Sequence, residues 1–307
     1  MSVAVVFSGQ GNQHPAMLPW LGDDASMATL GSRLGVPDWR AALADPAWAR
    51  MNAHAQVLIT TTGLAAWSQI ASRLMSASIA IDGVAGYSVG ELAACAAAGV
   101  IDAEDAMKFA AQRATFMDEA SRSLAGGLCG VTGIAAADVE AVLLGTSVSI
   151  AIRNGDDSVV IGGPLGGDAL DAVEAALAAR GARCTRLAVS VASHTPLMRS
   201  AAQAFGNALS TAGLRAPTLP LFDSDANRVW TADQARAGLA HQIDHTVRWD
   251  EVMDQLAARG PSCVLEIGGG QALARLWQQR HPSIPARSAD EFRTLDGVLA
   301  WIERSAP

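Results

Sequence analysis

The stretch Val84-Ala85-Gly86-Tyr87-Ser88-Val89-Gly90-Glu91 decides the fold, because it places a G-x-S-x-G pattern between an apolar run and an alanine-rich segment. In a nucleophile elbow the serine occupies a strained turn between a strand and a helix, where larger neighbours would collide with both elements. Gly86 and Gly90 remove those collisions. We therefore predict that the Ser88 hydroxyl is presented at a strand end and that the Val89 amide, at a helix N-terminus, faces a developing oxyanion. One such pattern is weak evidence alone, and an ordinary turn serine is the alternative.

The composition predicts a globular protein with a sizeable core, since half of the 307 residues are hydrophobic. A formal charge of −8 without any basic stripe argues against nucleic-acid binding. The four cysteines are widely spaced, which suggests neither a disulfide framework nor a zinc site, and we predict no metal and no bound cofactor. Residues 1–7 read as a first strand rather than a signal peptide, and no apolar run approaches the roughly 18 residues of a membrane helix. We expect a cytoplasmic, bacterial-type enzyme.

Strands and helices alternate along most of the chain, a pattern typical of a mostly parallel sheet covered on both faces. The segment 130–191 differs, because its predicted order is strand, helix, two strands, helix and strand, with the second helix beginning at Asp168 and the last strand ending at Val191. That order indicates an inserted ferredoxin-like unit. We predict a large α/β domain over 1–127 and 192–307 and a small ferredoxin-like domain over 128–191.

Two glycine-rich loops follow predicted strands. Gly9-Gln10-Gly11-Asn12-Gln13 lacks the lysine of a P-loop and the spacing of a dinucleotide fingerprint, so a backbone amide donor is the better interpretation. Gly268-Gly269-Gly270 is interpreted as a structural turn rather than a nucleotide loop.

Four motifs stand in order along the chain: Gly9 to Gln13, Gly86 to Glu91, Gln112-Arg113 with Met117, and Val191-Ala192-Ser193-His194, with the inserted unit before the last. Together they resemble the malonyl-CoA:acyl-carrier-protein transacylase family of fatty-acid and polyketide synthesis. The resemblance covers nearly the whole chain and implies an α/β-hydrolase-like sheet with the inserted subdomain. Tyr87, where most of the family has histidine, and the tail 286–293 resemble more narrowly the epsilon (transacylase) subunit of malonate decarboxylase.

The resemblance implies a role for each matching residue. Ser88 would form the acyl-enzyme, and His194 would act as general base and then general acid, oriented by a backbone carbonyl from the run Thr246 to Trp249. Arg113 would hold the free malonyl carboxylate; without the resemblance, a surface ion pair with Asp118 or Glu119 would be favoured. The remaining implied residues are the oxyanion-hole amides of Gln10 and Val89 and the substrate-binding side chains Gln56, Asn154 and Arg248.

We therefore expect malonyl transfer from malonyl-CoA to the phosphopantetheine-type arm of an acyl carrier protein, and the narrower resemblance implies other malonate decarboxylase subunits as partners. A thioesterase or esterase with the same elbow is an alternative. In that fold, however, the catalytic histidine lies near the end of the chain, and here more than a hundred residues follow His194. A non-catalytic carrier-docking subunit is a third hypothesis. The sequence leaves four questions open: which carrier protein is used, whether the enzyme serves malonate catabolism or biosynthesis, whether it selects malonyl or methylmalonyl groups, and what its oligomeric state is.

Overall fold

The computed structural model describes residues 1–22, 25–165, 169–189 and 191–305. The predicted helix start at Asp168 lies outside the described residues, as does position 190 in the strand predicted to end at Val191. The strands are β1 Ser2–Phe7, β2 Ala80–Gly86, β3 Gly126–Thr132, β4 Ser149–Gly155, β5 Ser158–Pro164, β6 Arg183–Arg186, β7 Leu221–Phe222, β8 Arg228–Val229, β9 Val247–Arg248, β10 Cys263–Ile267 and β11 Ala286–Ser288.

Helices connect most of these strands. They are α1 Ala25–Leu34, α2 Trp39–Ala42, α3 Pro46–Arg50, α4 Asn52–Ser76, α5 Gly90–Ala97, α6 Ala103–Ser123, α7 Ala136–Leu143, α8 Ala169–Ala178, α9 Arg199–Ser210, α10 Ala232–His241, α11 Trp249–Ala257, α12 Ala272–Arg280 and α13 Leu295–Arg304, with single 3-10 turns at Pro196–Met198 and Ala289–Glu291. Asp102 caps α6, because its carboxylate accepts a hydrogen bond from the Asp105 amide.

Within the described residues, the larger sheet has six strands in the order β11-β10-β1-β2-β7-β8, and only the β7–β8 pair is antiparallel. Strand β1 is central, and its residues from Val3 to Phe7 are all buried, as expected for a strand covered on both faces. Val3, Val5 and Phe7 join the core on one face, while Ala4 and Val6 join the core on the other. The predicted α/β class with a mostly parallel sheet is confirmed.

The smaller sheet has the order β6-β3-β5-β4-β9, and its pairs are antiparallel except for β4 with β9. Its elements follow the predicted order β3, α7, β4, β5, α8 and β6, and they enclose a separate apolar core. Strand β9 joins this sheet from much later in the chain, which the sequence pattern did not indicate. The ferredoxin-like class and the domain boundaries stay predictions. No helix within the described ranges is long and apolar enough to cross a membrane.

Candidate active site

The predicted elbow lies between the end of β2 and the start of α5. Ser88 has a φ of +56°, in the left-handed region that non-glycine residues rarely adopt. A Cβ on Gly86 would lie 2.1 Å from the Gly90 carbonyl carbon, and a Cβ on Gly90 would lie 2.4 Å from the Phe7 carbonyl oxygen. The glycines are therefore required by contact between strand and helix, and the tight turn projects the serine side chain into a cavity.

His194 meets Ser88 across 106 residues of sequence. The Ser88 Oγ lies 2.8 Å from His194 Nε2, and the backbone of His194 also has a positive φ, of +63°. His194 Nδ1 donates to the Gln242 carbonyl oxygen, which leaves Nε2 unprotonated and ready to accept the serine proton. Burial and then the nearby charge of Arg113 lower the pKa of His194 to about 3, against the opposing effect of the Gln242 bond. The imidazole is neutral at physiological pH.

Gln242 connects the groups of the site, and the sequence analysis missed it. Its backbone carbonyl holds His194, its side-chain Oε1 accepts from Arg113 at 3.0 Å, and its Nε2 donates to the Ser88 carbonyl at 3.1 Å. The next carbonyl, of Ile243, accepts from the His194 amide at 2.8 Å. The only available signal was that Gln242 follows α10, a helix that begins with a Thr231 capping box.

Arg113 places a buried cation beside the nucleophile. Its side chain donates to Gln56 Oε1 at 2.8 Å and to Gln242 Oε1, and one terminal nitrogen lies 3.5 Å from Ser88 Oγ. Its Nε has no hydrogen-bond partner, and among the described residues no carboxylate lies within ion-pair distance of the guanidinium.

The charge of Arg113 persists in spite of its burial. Burial lowers its pKa to about 10, an effect that Glu91 opposes, so the group stays protonated at neutral pH. The alternative surface pair with Asp118 does not form, because α6 turns Arg113 inward and Asp118 accepts from Asn52 instead. A cation held only by neutral amides is suited to receive an anionic ligand.

The amides predicted for an oxyanion hole belong to Gln10, on the loop after β1, and to Val89, which directly follows the serine. Gln10 lines the same cavity as Ser88, whereas Val89 is the N-cap residue of α5, is fully buried and is not among the residues that line the cavity. Within the described part of the chain, neither amide donates to another protein group. Their role toward a developing negative charge on a substrate oxygen stays a prediction.

A cavity of about 800 Å³ contains the site. Its wall combines the Gly9 to Pro15 loop with residues of β4 and β5, so that both sheets contribute. Asn154, a predicted substrate-binding residue, lines the cavity and accepts from the Tyr87 hydroxyl at 3.1 Å. Gln56 also lines it, bonded to Arg113. No cluster of three or more His, Cys, Asp or Glu in the described ranges is arranged to hold a metal ion.

Comparison with known proteins identifies the family. Residues 52–289 match the acyl transferase domain. The chain belongs to this family. The malonyl CoA-acyl carrier protein transacylase of Escherichia coli K12 is 30% identical over 312 residues, which cover 96% of this chain and 98% of that protein.

Solved structures of related transferases agree with this acyl transferase over its whole length. The malonyl-CoA:acyl carrier protein transacylase of Xanthomonas oryzae pv. oryzae matches with a TM-score of 0.87 and 30% identity, covering 100% of both chains. A type II polyketide synthase acyl carrier protein in complex with its malonyl-transacylase gives a TM-score of 0.88 and 27% identity, covering 98% of this chain and 99% of that one. The family expected from the four motifs is confirmed.

Two expectations for this acyl transferase are wrong. Arg248 does not line the cavity; its side chain is 47% exposed and pairs with Glu251. The reason is strand alternation, because Val247 faces the core and its neighbour on β9 must face outward. The carbonyl that orients His194 comes from Gln242 and not from the run 246–249, which is occupied in pairing β9 with β4.

Proposed function

We propose that this acyl transferase moves a malonyl group from malonyl-CoA to the thiol of an acyl carrier protein through a Ser88 acyl-enzyme. The observation that carries the proposal is the buried Arg113 guanidinium, 3.5 Å from the Ser88 hydroxyl and without a carboxylate partner. An acyl group attached to Ser88 that ended in a carboxylate would reach this cation. A planar guanidinium can meet a carboxylate with two parallel hydrogen bonds, which favours a dicarboxylic acyl group over acetyl.

The first half-reaction loads the enzyme. The Ser88 oxygen attacks the thioester carbonyl carbon while His194 Nε2 takes the hydroxyl proton. The negative charge that develops on the carbonyl oxygen is stabilised by the Gln10 and Val89 amides, each worth about 3 kcal/mol in comparable sites. The carbon–sulfur bond then breaks, and the proton on Nε2 passes to the departing CoA sulfur. Throughout, the Gln242 carbonyl holds Nδ1–H and stabilises the transient imidazolium.

The second half-reaction repeats these steps with the carrier thiol as nucleophile. His194 takes the thiol proton, the sulfur attacks the Ser88 ester, and Ser88 leaves with the proton restored. The curated relative from E. coli bears the name of this transfer, and a related transacylase has been solved with its carrier protein. Water competes for the same ester, but an acyl carboxylate fixed by Arg113 leaves water poorly placed to attack.

The test is a two-substrate assay. Purified protein with malonyl-CoA and a carrier protein bearing its phosphopantetheine arm should yield malonyl-carrier in amounts matching the CoA released. Omission of the carrier should stop turnover after one acylation per Ser88. Continuous release of free malonate without a carrier would instead establish the thioesterase alternative, and absence of any Ser88 ester would establish a non-catalytic subunit.

Within this activity, a narrower role as the transacylase subunit of malonate decarboxylase is supported by Tyr87 in place of the histidine usual in the family. Here the tyrosine forms an elbow-to-β4 link through Asn154 and packs edge-on against Trp249, with ring centroids 5.3 Å apart. A rate of transfer to a decarboxylase carrier subunit at least tenfold above that to a fatty-acid carrier would support this role. The reverse preference would place the protein in biosynthesis.

A further inference from the structure

A buried carboxyl group lies in the helix that follows the elbow, and it is not among the residues that line the cavity. Glu91 begins the first turn of α5 and is 2% exposed. The Ser224 hydroxyl donates to Glu91 Oε2, and within the described residues neither Arg, Lys nor His lies within ion-pair distance of this carboxyl. The proposed acyl transfer does not use it.

A second carboxyl group lies near the same glycine of α10 as the first. A Cβ placed on Gly238 of α10 would lie 3.6 Å from Glu91 Oε1 and 3.5 Å from Asp223 Oδ2, so the two carboxyl oxygens face the same glycine. Glu91 is buried and Asp223 is partly buried, and two neighbouring carboxyl groups in such surroundings do not both ionise readily, because their charges repel and are poorly hydrated.

The hydrogen bonds show which of the two keeps the proton. Asp223 Oδ1 accepts from the amides of Asp225 and Asn227, at 3.0 and 2.8 Å, and such bonds favour an ionised carboxylate. In the part of the chain that the structure describes, the Glu91 carboxyl group accepts a hydrogen bond from the Ser224 hydroxyl alone. Burial and then the charge of Asp223 raise the pKa of Glu91 to about 8, so that it is mostly protonated at neutral pH.

The pair is linked to the substrate cation through one residue. The carbonyl of Gly238 accepts from the Gln242 amide at 3.0 Å, and the Gln242 side chain accepts from Arg113 at 3.0 Å. The charge of Arg113 favours ionisation of Glu91, and Glu91 in turn favours the charged form of Arg113. The titratable or charged groups that act on or respond to Glu91 are Arg113 on α6, Asp223 and Asp225 after β7, and Cys95 one turn further along α5.

We propose that Glu91 is a positioning residue for the acyl carboxylate: while its carboxyl group holds a proton, the charge of Arg113 is uncompensated and is available to the substrate. Ionisation of Glu91 supplies a competing negative charge behind Arg113 and weakens the hold on the substrate carboxylate. This inference rests on the proposed malonyl transfer. By linkage, binding of malonyl-CoA must also favour the protonated form of Glu91.

The experiment measures binding separately from chemistry. In a Ser88→Ala background, calorimetry gives the Kd of malonyl-CoA at pH 7 and pH 9, with acetyl-CoA as the reference that shares the CoA phosphates but lacks the free carboxylate. We expect malonyl-CoA to bind about fivefold more weakly at pH 9 relative to acetyl-CoA, as for a neighbouring pKa shifted by somewhat less than one unit. Titrations at pH 8.5 in buffers of different ionisation enthalpy should show proton uptake specific to malonyl-CoA.

Glu91→Gln on the same background should remove both the pH dependence and the proton uptake. The matched control is Glu119→Gln, an exposed glutamate on α6 whose loss should leave both unchanged. Two further variants should move the pH midpoint in opposite directions. Ser224→Ala removes a bond that favours ionised Glu91 and should raise the midpoint, whereas Asp223→Asn removes a repelling charge and should lower it.

Circular dichroism of each variant establishes that it is folded, and the two opposed shifts test the inference even if Glu91→Gln fails to fold. A malonyl-CoA affinity that keeps its pH dependence in Glu91→Gln would overturn the role of Glu91 while leaving malonyl transfer intact. Equal affinity for malonyl-CoA and acetyl-CoA at pH 7 would overturn the proposed function and this inference with it.

Discussion

Two arginines that the sequence assigns to the substrate occupy opposite environments. Arg113 is 1% exposed, lies beside Ser88 and is held by the amide oxygens of Gln56 and Gln242. Arg248 is about half exposed and is paired with Glu251 on the first turn of α11. Arg113 has neutral partners, so its charge is available to a ligand. The charge of Arg248 is already neutralised by a carboxylate and solvated by water.

The difference teaches that partners, more than residue type, decide what an arginine can bind. A desolvated cation interacts strongly with an incoming carboxylate, while a surface ion pair contributes about 1 kcal/mol or less. The backbone decides which case applies, because the inward face of α6 carries Arg113 to the cavity and the alternation of β9 carries Arg248 away from it.

The largest expected effect comes from removing the buried cation. Arg113→Ala should lower kcat/KM for malonyl-CoA by about a hundredfold or more, since truncating one partner of a buried charged pair costs about 2–5 kcal/mol. Acetyl-CoA should be affected far less. Arg113→Lys should recover only part of the loss, because an ammonium cannot present the planar fork. Equal losses for both thioesters would place the carboxylate elsewhere.

Replacement of Gln242 should have the next largest effect. Gln242 gives the buried arginine a neutral amide partner, whereas the exposed arginine is paired with a carboxylate. Gln242→Ala removes an acceptor from Arg113 and a donor to the Ser88 carbonyl, while the backbone carbonyl that holds His194 is retained. We expect kcat/KM for malonyl-CoA to fall about tenfold, the cost of a hydrogen bond to a charged group. Steady-state kinetics against Gln203→Ala, an exposed glutamine on α9, provide the comparison.

The pH profile should reveal how burial, and then the charge of Arg113, lower the pKa of His194. Because the pKa of His194 is lowered to about 3 in the folded protein, the base stays neutral and the acylation rate should show no acid limb near pH 6.5. In Arg113→Ala, loss of the cation lets the pKa of His194 rise. The acid limb of the acylation rate should therefore move to a higher pH than in the wild type when acetyl-CoA is the acyl donor. An ordinary limb near 6.5 in the wild type would show that His194 is not buried as described.

The smallest effect should come from the exposed pair. Arg248→Ala and Glu251→Ala should each leave kcat/KM within about twofold and the free energy of unfolding within about 0.5 kcal/mol, as for other surface charges. Thermal unfolding and the standard transfer assay are sufficient to measure both. A loss of malonyl selectivity in Arg248→Ala would contradict the difference between the two arginines.

Much of the site could be predicted because its central features are local. Gly86 and Gly90 flank a serine whose backbone adopts the left-handed conformation. Because this steric requirement involves only residues close together in the sequence, the G-x-S-x-G pattern predicts it. The family resemblance supplied His194 and Arg113, which no local pattern would have joined to Ser88. The α/β class followed from alternating apolar elements, since the period of each segment reflects its own burial.

The remaining features depend on contacts that no local pattern encodes. Gln242 orients His194 through a backbone carbonyl, and a carbonyl is present at every position of the chain. The pairing of β9 with β4 brings together segments about a hundred residues apart, and it turned Arg248 outward. Glu91 and Asp223 likewise meet only because α5 and the end of β7 pack against the same glycine of α10.

The most direct test of the account is which acyl group Ser88 takes when both are offered. The wild-type protein is mixed with equal concentrations of malonyl-CoA and acetyl-CoA without a carrier, quenched, and digested for mass spectrometry of the peptide that contains Ser88. We predict a malonyl ester on Ser88 in large excess over acetyl, a reversed preference in Arg113→Ala, and no ester in Ser88→Ala. An acetyl ester in the wild type that equals or exceeds the malonyl ester, or a malonyl group on any other residue, would contradict the pairing of Ser88 with Arg113.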